Sequence, residues 1–454
     1  MHFDSDLQDL ASLLPKGMLA RAERAQGAAK SGVDEGLARR SFLKLSVASG
    51  FALGVFPQSA LAQDGKQAGP AALKPFDQPG AFVHIAPDGT VTVTINRLEF
   101  GQGVLTALPM ILAEELDADW SKVRAVHGDA DPAYVDPAFG MHLTGGSGSI
   151  KRSYTQYREL GARTRAMLVL AAASQWNVDA ASLRTENGRV LRADGQSIAY
   201  GDLADAAMKA PVPHKVALKD AKNFRLIGKA TNRLDATAKS TGTQSFGMDM
   251  QLPGMLTAVV VHPPVFGARL TSVDDSAARA IAGVKAVIRM PTDRGGEGIA
   301  VVAQGYWAAK QGRDALKLVW DTSAVEKVDS VAQLASYRAL AKKTGLVQFK
   351  ADVSALAKAP KKISAEFTFP YLAHAPMEPL NCTVHVTGQG ADAKATLWLG
   401  TQMPGFDAMA ASKVLGIAPK YIKINVQMAG GGFGRRAVPT ADYVVEACTV
   451  SKMA

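Results

Sequence analysis

The chain has 454 residues, 47% of them hydrophobic, and no apolar run approaches the roughly 20 residues that a membrane-spanning helix needs. These values predict a globular protein of about two or three domains with no membrane span. The formal net charge is +10, but the basic residues are dispersed and not interleaved with aromatic residues, so we expect one anionic ligand and no nucleic-acid partner.

The first 62 residues contain, in order, the three parts of a twin-arginine export signal. Arg39 and Arg40 precede an apolar segment at 45–56, and small residues at 60–62 provide a cleavage site. A short buried helix after a disordered head is the alternative interpretation. We expect a leader that directs the protein to the periplasm. Because this export route carries folded proteins, we also expect a cofactor.

The chain contains two cysteines, Cys382 and Cys448. An iron–sulfur cluster needs about four thiolates, or two thiolates with two histidines, and an attached c-type haem needs a Cys-x-x-Cys-His motif. The chain alone can therefore hold neither group. The spacing of the two cysteines leaves open whether they form a disulfide.

After a linker at 63–80, the pattern predicts a β-hairpin and then a helix. Alternating apolar residues at 82–86 and 90–96 flank a Pro-Asp-Gly turn, which is typical of a hairpin. Gly-Gln-Gly at 101–103 then precedes an apolar stretch at 104–116 whose leucine and isoleucine residues repeat with helical spacing.

A second loop of small residues, at 139–149, precedes a long helix predicted from Ser153 to about Gln175. Hydroxyl side chains and exposed backbone N–H groups in this loop suit a phosphate. A flexible connector is the alternative. The hydroxyl residues are Thr144, Ser147 and Ser149.

From about residue 223 the pattern changes to short strands and helices, which predicts an α/β module of roughly 100 residues. Stretches rich in alanine and lysine, at 204–222 and 335–362, bracket this module. Its predicted elements lie at 255–262, 274–281, 284–289 and 306–316.

His374 and Glu378 are four residues apart, which is the spacing of two metal ligands on one face of a helix. Pro376 and Pro379 are incompatible with the interior of such a helix. The sequence therefore does not favour a metal pair at these positions.

Near the end of the chain, glycines at 430, 431, 432 and 434 surround Phe433. A run of glycines costs conformational entropy, so it usually reflects positive φ angles or close approach of the backbone to another group. A tight turn is the alternative. The spacing fits neither the dinucleotide-binding fingerprint nor the phosphate-binding P-loop.

This glycine loop (residues 430–434) lies between a strand-like run at 421–427 and a helix-like run at 442–452. Strand, loop and helix in this order place backbone N–H groups and a helix N-terminus where an anion could bind. Arg435 and Arg436 add planar donors that suit phosphate or carboxylate.

Five motifs together resemble the molybdenum-binding large subunit of the xanthine oxidase/aldehyde oxidoreductase family, and most of all its isoquinoline 1-oxidoreductase β-subunit group. The segment 252–320 is similar to the α/β hammerhead domain of that family. The motifs are Gly-Gln-Gly at 101–103, Thr-Gly-Gly-Ser-Gly-Ser at 144–149, His-Ala-Pro-Met-Glu-Pro-Leu-Asn-Cys at 374–382, Thr-Gln-Met-Pro at 401–404 and Gly-Gly-Gly-Phe-Gly-Arg-Arg at 430–436.

The resemblance implies an α+β protein with the molybdopterin-binding fold of aldehyde oxidase and xanthine dehydrogenase and an α/β hammerhead domain. It implies a division into a leader at 1–62, a linker at 63–80, an N-terminal molybdopterin-binding segment at 81–222, a hammerhead-like domain at 223–325, and an incomplete first part of the molybdopterin-binding domain at 326–454.

The resemblance also implies a molybdenum–molybdopterin cofactor, expected in its cytosine dinucleotide form, whose metal is held by the pterin dithiolene. Gln402 matches a glutamine that hydrogen-bonds the apical molybdenum oxygen, and Phe433 matches an aromatic residue near the metal. Members that oxidise xanthine have Gly-Lys-Glu where this chain has Arg435 and Arg436, so a purine substrate is not expected. The residues expected to bind the cofactor are Gln102, Gly103, Thr144, Gly146, Ser147, Ser149, Gln402, Gly431, Gly432, Phe433, Gly434 and Arg435.

By resemblance, the substrate is an aldehyde or a nitrogen heteroaromatic compound, and water supplies the oxygen. Electrons then pass to 2Fe–2S clusters on a separate small subunit, with a cytochrome c subunit as a further partner. The catalytic residue is unknown, because the family's general-base glutamate has no match here. We expect the chain to be a fragment or to be completed by a second polypeptide, and residues 63–454 alone to be poorly soluble and inactive. A non-catalytic homologue that acts as a binding or scaffolding protein is the alternative.

Overall fold

The computed structural model describes residues 73–347 and 350–454, so the predicted leader and most of the predicted linker lie outside the described residues. The described chain forms two compact units. The first comprises the residues up to Met255 together with Ala375–Ala454, and the second comprises Leu256–His374. Within the described ranges, no helix combines the length and the apolar character needed to cross a bilayer.

Both units contain helices as well as strands, which is consistent with the predicted α+β class. The helices are α1 (Pro79–Phe82), α2 (Val104–Leu116), α3 (Ser149–Trp176), α4 (Tyr200–Ala207), α5 (Ala236–Ser240), α6 (Ser276–Arg279), α7 (Tyr306–Asp314), α8 (Ser330–Ala341), α9 (Ser354–Lys358), α10 (Pro404–Leu415) and α11 (Asp442–Met453). The strands are β1 (Val83–Ile85), β2 (Val91–Ile95), β3 (Val123–His127), β4 (Arg184–Glu186), β5 (Arg189–Leu191), β6 (Ser197–Ala199), β7 (Thr257–Val261), β8 (Arg269–Asp274), β9 (Val284–Pro291), β10 (Glu297–Ala303), β11 (Lys317–Asp321), β12 (Thr383–Thr387), β13 (Lys394–Leu399) and β14 (Ile422–Val426).

The N-terminal part of the first unit confirms the predicted hairpin and the predicted helix. Strands β1 and β2 pair antiparallel, β3 adds to β2 in parallel, and α2 has the predicted bounds. The prediction for α3 was wrong at its start, because the helix begins at Ser149 instead of Ser153. The Arg152 N–H already donates to the Gly148 carbonyl oxygen (2.9 Å), so the first turn closes four residues earlier.

The C-terminal part of the first unit is built around the sheet β12–β13–β14. Strands β12 and β13 pair antiparallel, whereas β13 and β14 pair in parallel and are connected through α10. A parallel pair needs such a crossover. Leu397, Ile424 and Val444 form part of the core beneath the sheet. The predicted strand before the glycine loop and the predicted helix after it are confirmed as β14 and α11.

Cys382 and Cys448 pack into this same core, and both are free thiols. Burial raises the pKa of the Cys448 thiol to about 12 and raises that of Cys382 well above its usual value. Because the thiolate is the reactive form, neither group is activated for exchange or metal binding.

The second unit contains the sheet β7–β10–β9 and the two-stranded sheet β8–β11, and all of these pairs are antiparallel. Its core includes Leu270, Ile299 and Val301. The predicted elements at 255–262, 284–289 and 306–316 are confirmed as β7, β9 and α7. The stretch at 274–281 is divided between the end of β8 and the single turn α6, and the sequence analysis did not include β10.

Candidate functional site

Gln402, just after β13, links two of the predicted cofactor loops. Its side-chain Nε2 donates to the Thr144 carbonyl oxygen (2.7 Å), and the Thr144 N–H donates to the Gln402 carbonyl oxygen (2.9 Å). The Gln402 N–H donates to the carbonyl oxygen of Arg436, just after the glycine loop (3.0 Å). The structure therefore brings together the 144–149 loop, the 401–404 motif and the glycine loop, which are far apart in sequence.

One polar atom at this junction has no partner. Gln402 Oε1 is buried and makes no hydrogen bond with the described residues, and a Cβ built on Gly432 would lie 3.7 Å from it. Leaving a buried acceptor unsatisfied costs about 1–3 kcal/mol, so the arrangement favours a ligand that donates a hydrogen bond here. The donor role that the sequence predicts would require the amide to rotate, because Thr144 already accepts from Nε2.

A buried ion pair between Glu378 and Arg436 holds the glycine loop. Glu378 Oε2 accepts from Arg436 Nη2 (2.8 Å) and from the Gly430 N–H (2.7 Å). Arg436 also donates from Nε to the Gly431 carbonyl oxygen (2.8 Å) and from Nη1 to the Gly400 carbonyl oxygen (3.2 Å). Both ends of the ion pair therefore bond directly to the loop backbone.

The second carboxylate oxygen of Glu378 is occupied as well. Glu378 Oε1 accepts from Asn381 Nδ2 (2.9 Å) and from the Met248 N–H (3.2 Å). With four donors on its two oxygens, this carboxylate positions the loop and is not placed to act as a general base. The sequence analysis named Glu378 and Arg436 without finding their contact, because no local pattern pairs residues 58 positions apart.

Two runs of backbone N–H groups have no acceptor in the described part of the chain. One run comprises Gly145, Gly146 and Ser147, and the other comprises the glycine loop from Gly431 to Gly434. Successive unpaired N–H groups form concavities that bind anions. Because Gln402 joins the two loops, the site suits a ligand with several oxygen acceptors.

Backbone strain is concentrated in the same two loops. Ser147 has φ 51° and Phe433 has φ 52°, in the left-handed region that non-glycine residues seldom adopt. Strained residues of this kind persist where the surrounding structure fixes them and are common at ligand sites. Phe433 is 70% exposed, so its side chain is available to a ligand.

Glu99 fixes the Gly-Gln-Gly loop at the start of α2. Its carboxylate accepts from the N–H groups of Gly101 (2.8 Å), Gly103 (3.2 Å) and Leu105 (2.9 Å). Burial opposes the charge of Glu99, but these N–H donors hold its pKa below the usual value. Glu99 is a second organising residue that the sequence analysis missed.

Gln102, which was predicted to contact the cofactor, uses its amide within its own loop. Its Nε2 donates to the Leu98 carbonyl oxygen (2.7 Å), and its Oε1 accepts from the Phe100 N–H (2.9 Å). Gly103 has φ 89° and is the N-cap of α2. Phe100 connects this loop to the site, because a Cβ on Gly432 would lie 3.5 Å from its ring.

The remaining predicted residues lie at helix ends. Ser149 is the first residue of α3, and Arg435 Nη1 donates to Asp442 Oδ1 (3.0 Å) at the first residue of α11. His374 is exposed and lies in coil. Among the described residues, no cluster of histidine, cysteine, aspartate or glutamate has the arrangement of a metal site.

We expect Asp407→Asn to change how stability depends on pH. Burial raises the pKa of Asp407, which accepts a hydrogen bond from Thr401, to about 7. The folded protein therefore binds more protons than the unfolded chain between about pH 4 and pH 7, so wild-type stability falls as pH rises through this window. The substitution should remove that fall and stabilise the protein at pH 8.

Urea denaturation at pH 5 and pH 8 checks this, with the exposed Asp392→Asn as the matched control. If the free energy of unfolding of Asp407→Asn differs between pH 5 and pH 8 as much as that of the wild type does, the raised pKa of Asp407 is contradicted.

Comparisons with known proteins identify the family of the chain. Two family models, both described as a molybdopterin cofactor-binding domain, match the chain at residues 27–260 and at residues 340–453. The chain is 33% identical over 411 residues to isoquinoline 1-oxidoreductase subunit beta from Brevundimonas diminuta, covering 80% of this chain and 52% of that protein. It is 31% identical over 437 residues to membrane-bound aldehyde dehydrogenase [pyrroloquinoline-quinone] from Gluconacetobacter polyoxogenes, covering 92% and 54%.

The chain thus spans about half the length of these relatives. Among solved structures, quinoline 2-oxidoreductase from Pseudomonas putida 86 is 22% identical, with a TM-score of 0.36 over 48% of this chain and 32% of that one. The name of the Gluconacetobacter relative mentions pyrroloquinoline quinone, whereas both domain families that match this chain bind the molybdopterin cofactor. The chain belongs to the molybdopterin cofactor-binding family of the xanthine oxidase type.

Proposed function

We propose that the chain is the molybdenum-cofactor-binding subunit of a periplasmic oxidoreductase that oxidises an aldehyde or a nitrogen heteroaromatic compound. The observation that carries this proposal is the buried, unpaired Gln402 Oε1 between two loops of unpaired N–H groups. The names of the two relatives, an isoquinoline oxidoreductase and an aldehyde dehydrogenase, support the substrate class.

The residues present fit a molybdopterin dinucleotide. The N–H groups of Gly145–Ser147 and of the glycine loop would hold its anionic oxygens, and Gln402 and Phe433 would contact the pterin end. When bound, this cofactor supplies a two-electron oxidation in which water provides the oxygen. The chain's own residues fix the loops, through Glu378, Arg436 and Glu99.

The electrons require an acceptor outside this chain, because its two thiols cannot ligate an iron–sulfur cluster. We propose a small 2Fe–2S subunit as that partner and a cytochrome c subunit beyond it. The cytosine dinucleotide form of the cofactor belongs to the same proposal.

Cofactor analysis of the protein purified with its partners from molybdate-replete cells tests the function. We expect about one molybdenum and one pterin cytosine dinucleotide per chain, and loss of activity after growth on tungstate. A folded complex that contains pyrroloquinoline quinone, or no cofactor, would contradict the proposal and favour the non-catalytic alternative.

We expect Gln402→Ala to lower turnover per bound molybdenum by roughly thirtyfold, or about 2 kcal/mol, which is typical for loss of one hydrogen-bonding group in a dry site. The variant also loses the bond to Thr144 that positions the 144–149 loop. Steady-state kinetics normalised to molybdenum content measures the effect. Gln389 is exposed, so Gln389→Ala is the control. Equal turnover in both variants would show that Gln402 does not act at the site.

Export gives a separate test of the periplasmic assignment. Arg39→Lys combined with Arg40→Lys should leave the protein in the cytoplasm, because the export receptor reads the paired guanidinium groups. Cell fractionation measures the distribution. Arg21→Lys with Arg24→Lys, in the same leader, is the matched control. Normal delivery of the Arg39/Arg40 variant to the periplasm would show that the leader has been misread.

A further inference from the structure

Residues 363–372 carry a row of apolar side chains that the described residues do not cover. Four large aliphatic or aromatic side chains are mostly exposed: Ile363 (87%), Phe367 (77%), Phe369 (84%) and Tyr371 (81%). These four occupy odd-numbered positions, so in a β-strand they would share one face, whereas Leu372, which is 79% exposed, would lie on the other face. An exposed apolar row of this kind marks an interaction surface.

The backbone of the same segment is unpaired. Between residues 360 and 375, no N–H or C=O group hydrogen-bonds to the described part of the chain, and the segment carries no helix or strand. Two polar side-chain contacts join the segment to α8: Arg338 donates to Glu366 (2.6 Å), and the Tyr337 and Tyr371 hydroxyls are 3.1 Å apart. Unpaired backbone and an alternating apolar row together are typical of a strand whose sheet is missing.

We propose that residues 363–372 form a β-strand in a sheet whose other strands belong to the half of the relatives that this chain does not span, whichever polypeptide carries that half. The two relatives are nearly twice as long as their aligned regions, so they contain enough further chain to supply the sheet. The segment joins it by strand addition, in which backbone hydrogen bonds provide affinity and side-chain pockets provide specificity.

The position of Pro370 defines the paired edge. In a strand, odd-numbered and even-numbered N–H groups point to opposite edges. Pro370 lacks an N–H and interrupts the even edge, as in an edge strand. The odd edge, from 363 to 371, keeps every donor, so it is the edge that pairs with the partner sheet.

A second copy of the chain fits this surface less well. Two copies of the segment would form a two-stranded ribbon, which is marginal in water, and would place two exposed apolar rows side by side instead of covering either. A sheet with a packed layer beneath it satisfies both the backbone and the side chains.

Photo-cross-linking in the protein's own host identifies the neighbour. The probe is p-benzoylphenylalanine in place of Phe367, with the same probe in place of Val319, an exposed apolar residue on β11, as control. We expect Phe367 alone to cross-link to a peptide that aligns with the unspanned half of the Brevundimonas diminuta subunit. Cross-links to a second copy of residues 73–454, to another protein, or to nothing in the assembled complex would overturn the proposal.

Hydrogen exchange and substitution give an independent readout. In the assembled complex, the odd-numbered amides from 363 to 371 should exchange at least about a hundredfold more slowly than in the chain purified alone, whereas the even-numbered amides of the other edge should be protected less. Phe367→Ser with Phe369→Ser should reduce recovery of the identified partner at least tenfold, whereas Val319→Ser should leave it unchanged. Equal exchange in both samples would overturn the proposal. Neither readout depends on molybdenum, so failure here is distinguishable from failure of the proposed function.

Discussion

Glu378→Gln should destabilise the first unit by about 3–5 kcal/mol, the usual cost of leaving one charge of a buried ion pair without its partner. The Arg436 side chain is fully buried, and Glu378 is 5% exposed, so water cannot replace the lost carboxylate. Three carbonyl oxygens would still accept from Arg436, but none of them carries a charge. The loss should appear as faster hydrogen exchange of the amides at 428–437. This exchange should begin at a lower urea concentration than in the wild-type protein.

A double-mutant cycle separates the ion pair from a general packing defect. Adding Arg436→Met to Glu378→Gln removes the stranded charge, so the double variant should be more stable than the sum of the single effects predicts. Glu186→Gln is the matched surface control. Its partner Arg184 is 64% exposed, and such pairs contribute at most about 1 kcal/mol. Additive single effects in the cycle would show that Glu378 and Arg436 act separately.

This ion pair also illustrates what the sequence could not predict. Helix α2, strand β14 and helix α11 were predicted with nearly correct bounds, because apolar periodicity and flanking glycines are local signals. The contact of Glu378 with Arg436 depends on tertiary placement of residues in coil. Nothing in the spacing of the two residues indicates that they bond to the same loop.

The sequence analysis missed the first turn of α3 and the role of Glu99 at the start of α2 for a related reason. Ser149 reads equally well as a loop residue or as the first residue of a helix, and the choice depends on Gly148 accepting from Arg152. Glu99 precedes the Gly-Gln-Gly loop and looks like an ordinary surface acid in sequence. Its burial, with the pKa held low by backbone donors, follows from the way the chain turns back on it.

The site residues predicted by resemblance divide into two groups in the structure. Gln402 has a buried acceptor without a partner, Gly432 has an N–H without an acceptor, and Phe433 has an exposed ring, so these groups are not committed to other protein contacts. Gln102 and Arg435 have side chains already bonded within the protein. If these two contact the cofactor, they do so through their backbone or after giving up those bonds.

Gly432→Ala should lower cofactor content at least about tenfold while leaving the fold intact, so it tests the role of the glycine loop directly. Gly432 does not have a positive φ angle, and a Cβ there would meet protein atoms only at ordinary contact distances, the nearest being Phe100 at 3.5 Å. Packing within the described chain therefore gives no reason for glycine at this position. A ligand that lies against the backbone of Gly432 would explain the glycine, because the methyl group of alanine would occupy the space of that ligand.

Gly430→Ala provides the contrast. A Cβ at Gly430 would lie 2.5 Å from Glu378 Cβ, so the backbone must shift. The shift should weaken the bond from the Gly430 N–H to Glu378 Oε2 and the bond from the Glu378 N–H to the Gly430 carbonyl oxygen (3.0 Å). We expect this variant to lose about 1–3 kcal/mol of stability as well as its cofactor, as overpacked sites do. Gly432→Ala should instead keep wild-type urea stability with molybdenum content at least about tenfold lower, equivalent to about 1.4 kcal/mol of binding. Wild-type molybdenum content in a folded Gly432→Ala protein would mean that the cofactor does not contact this loop.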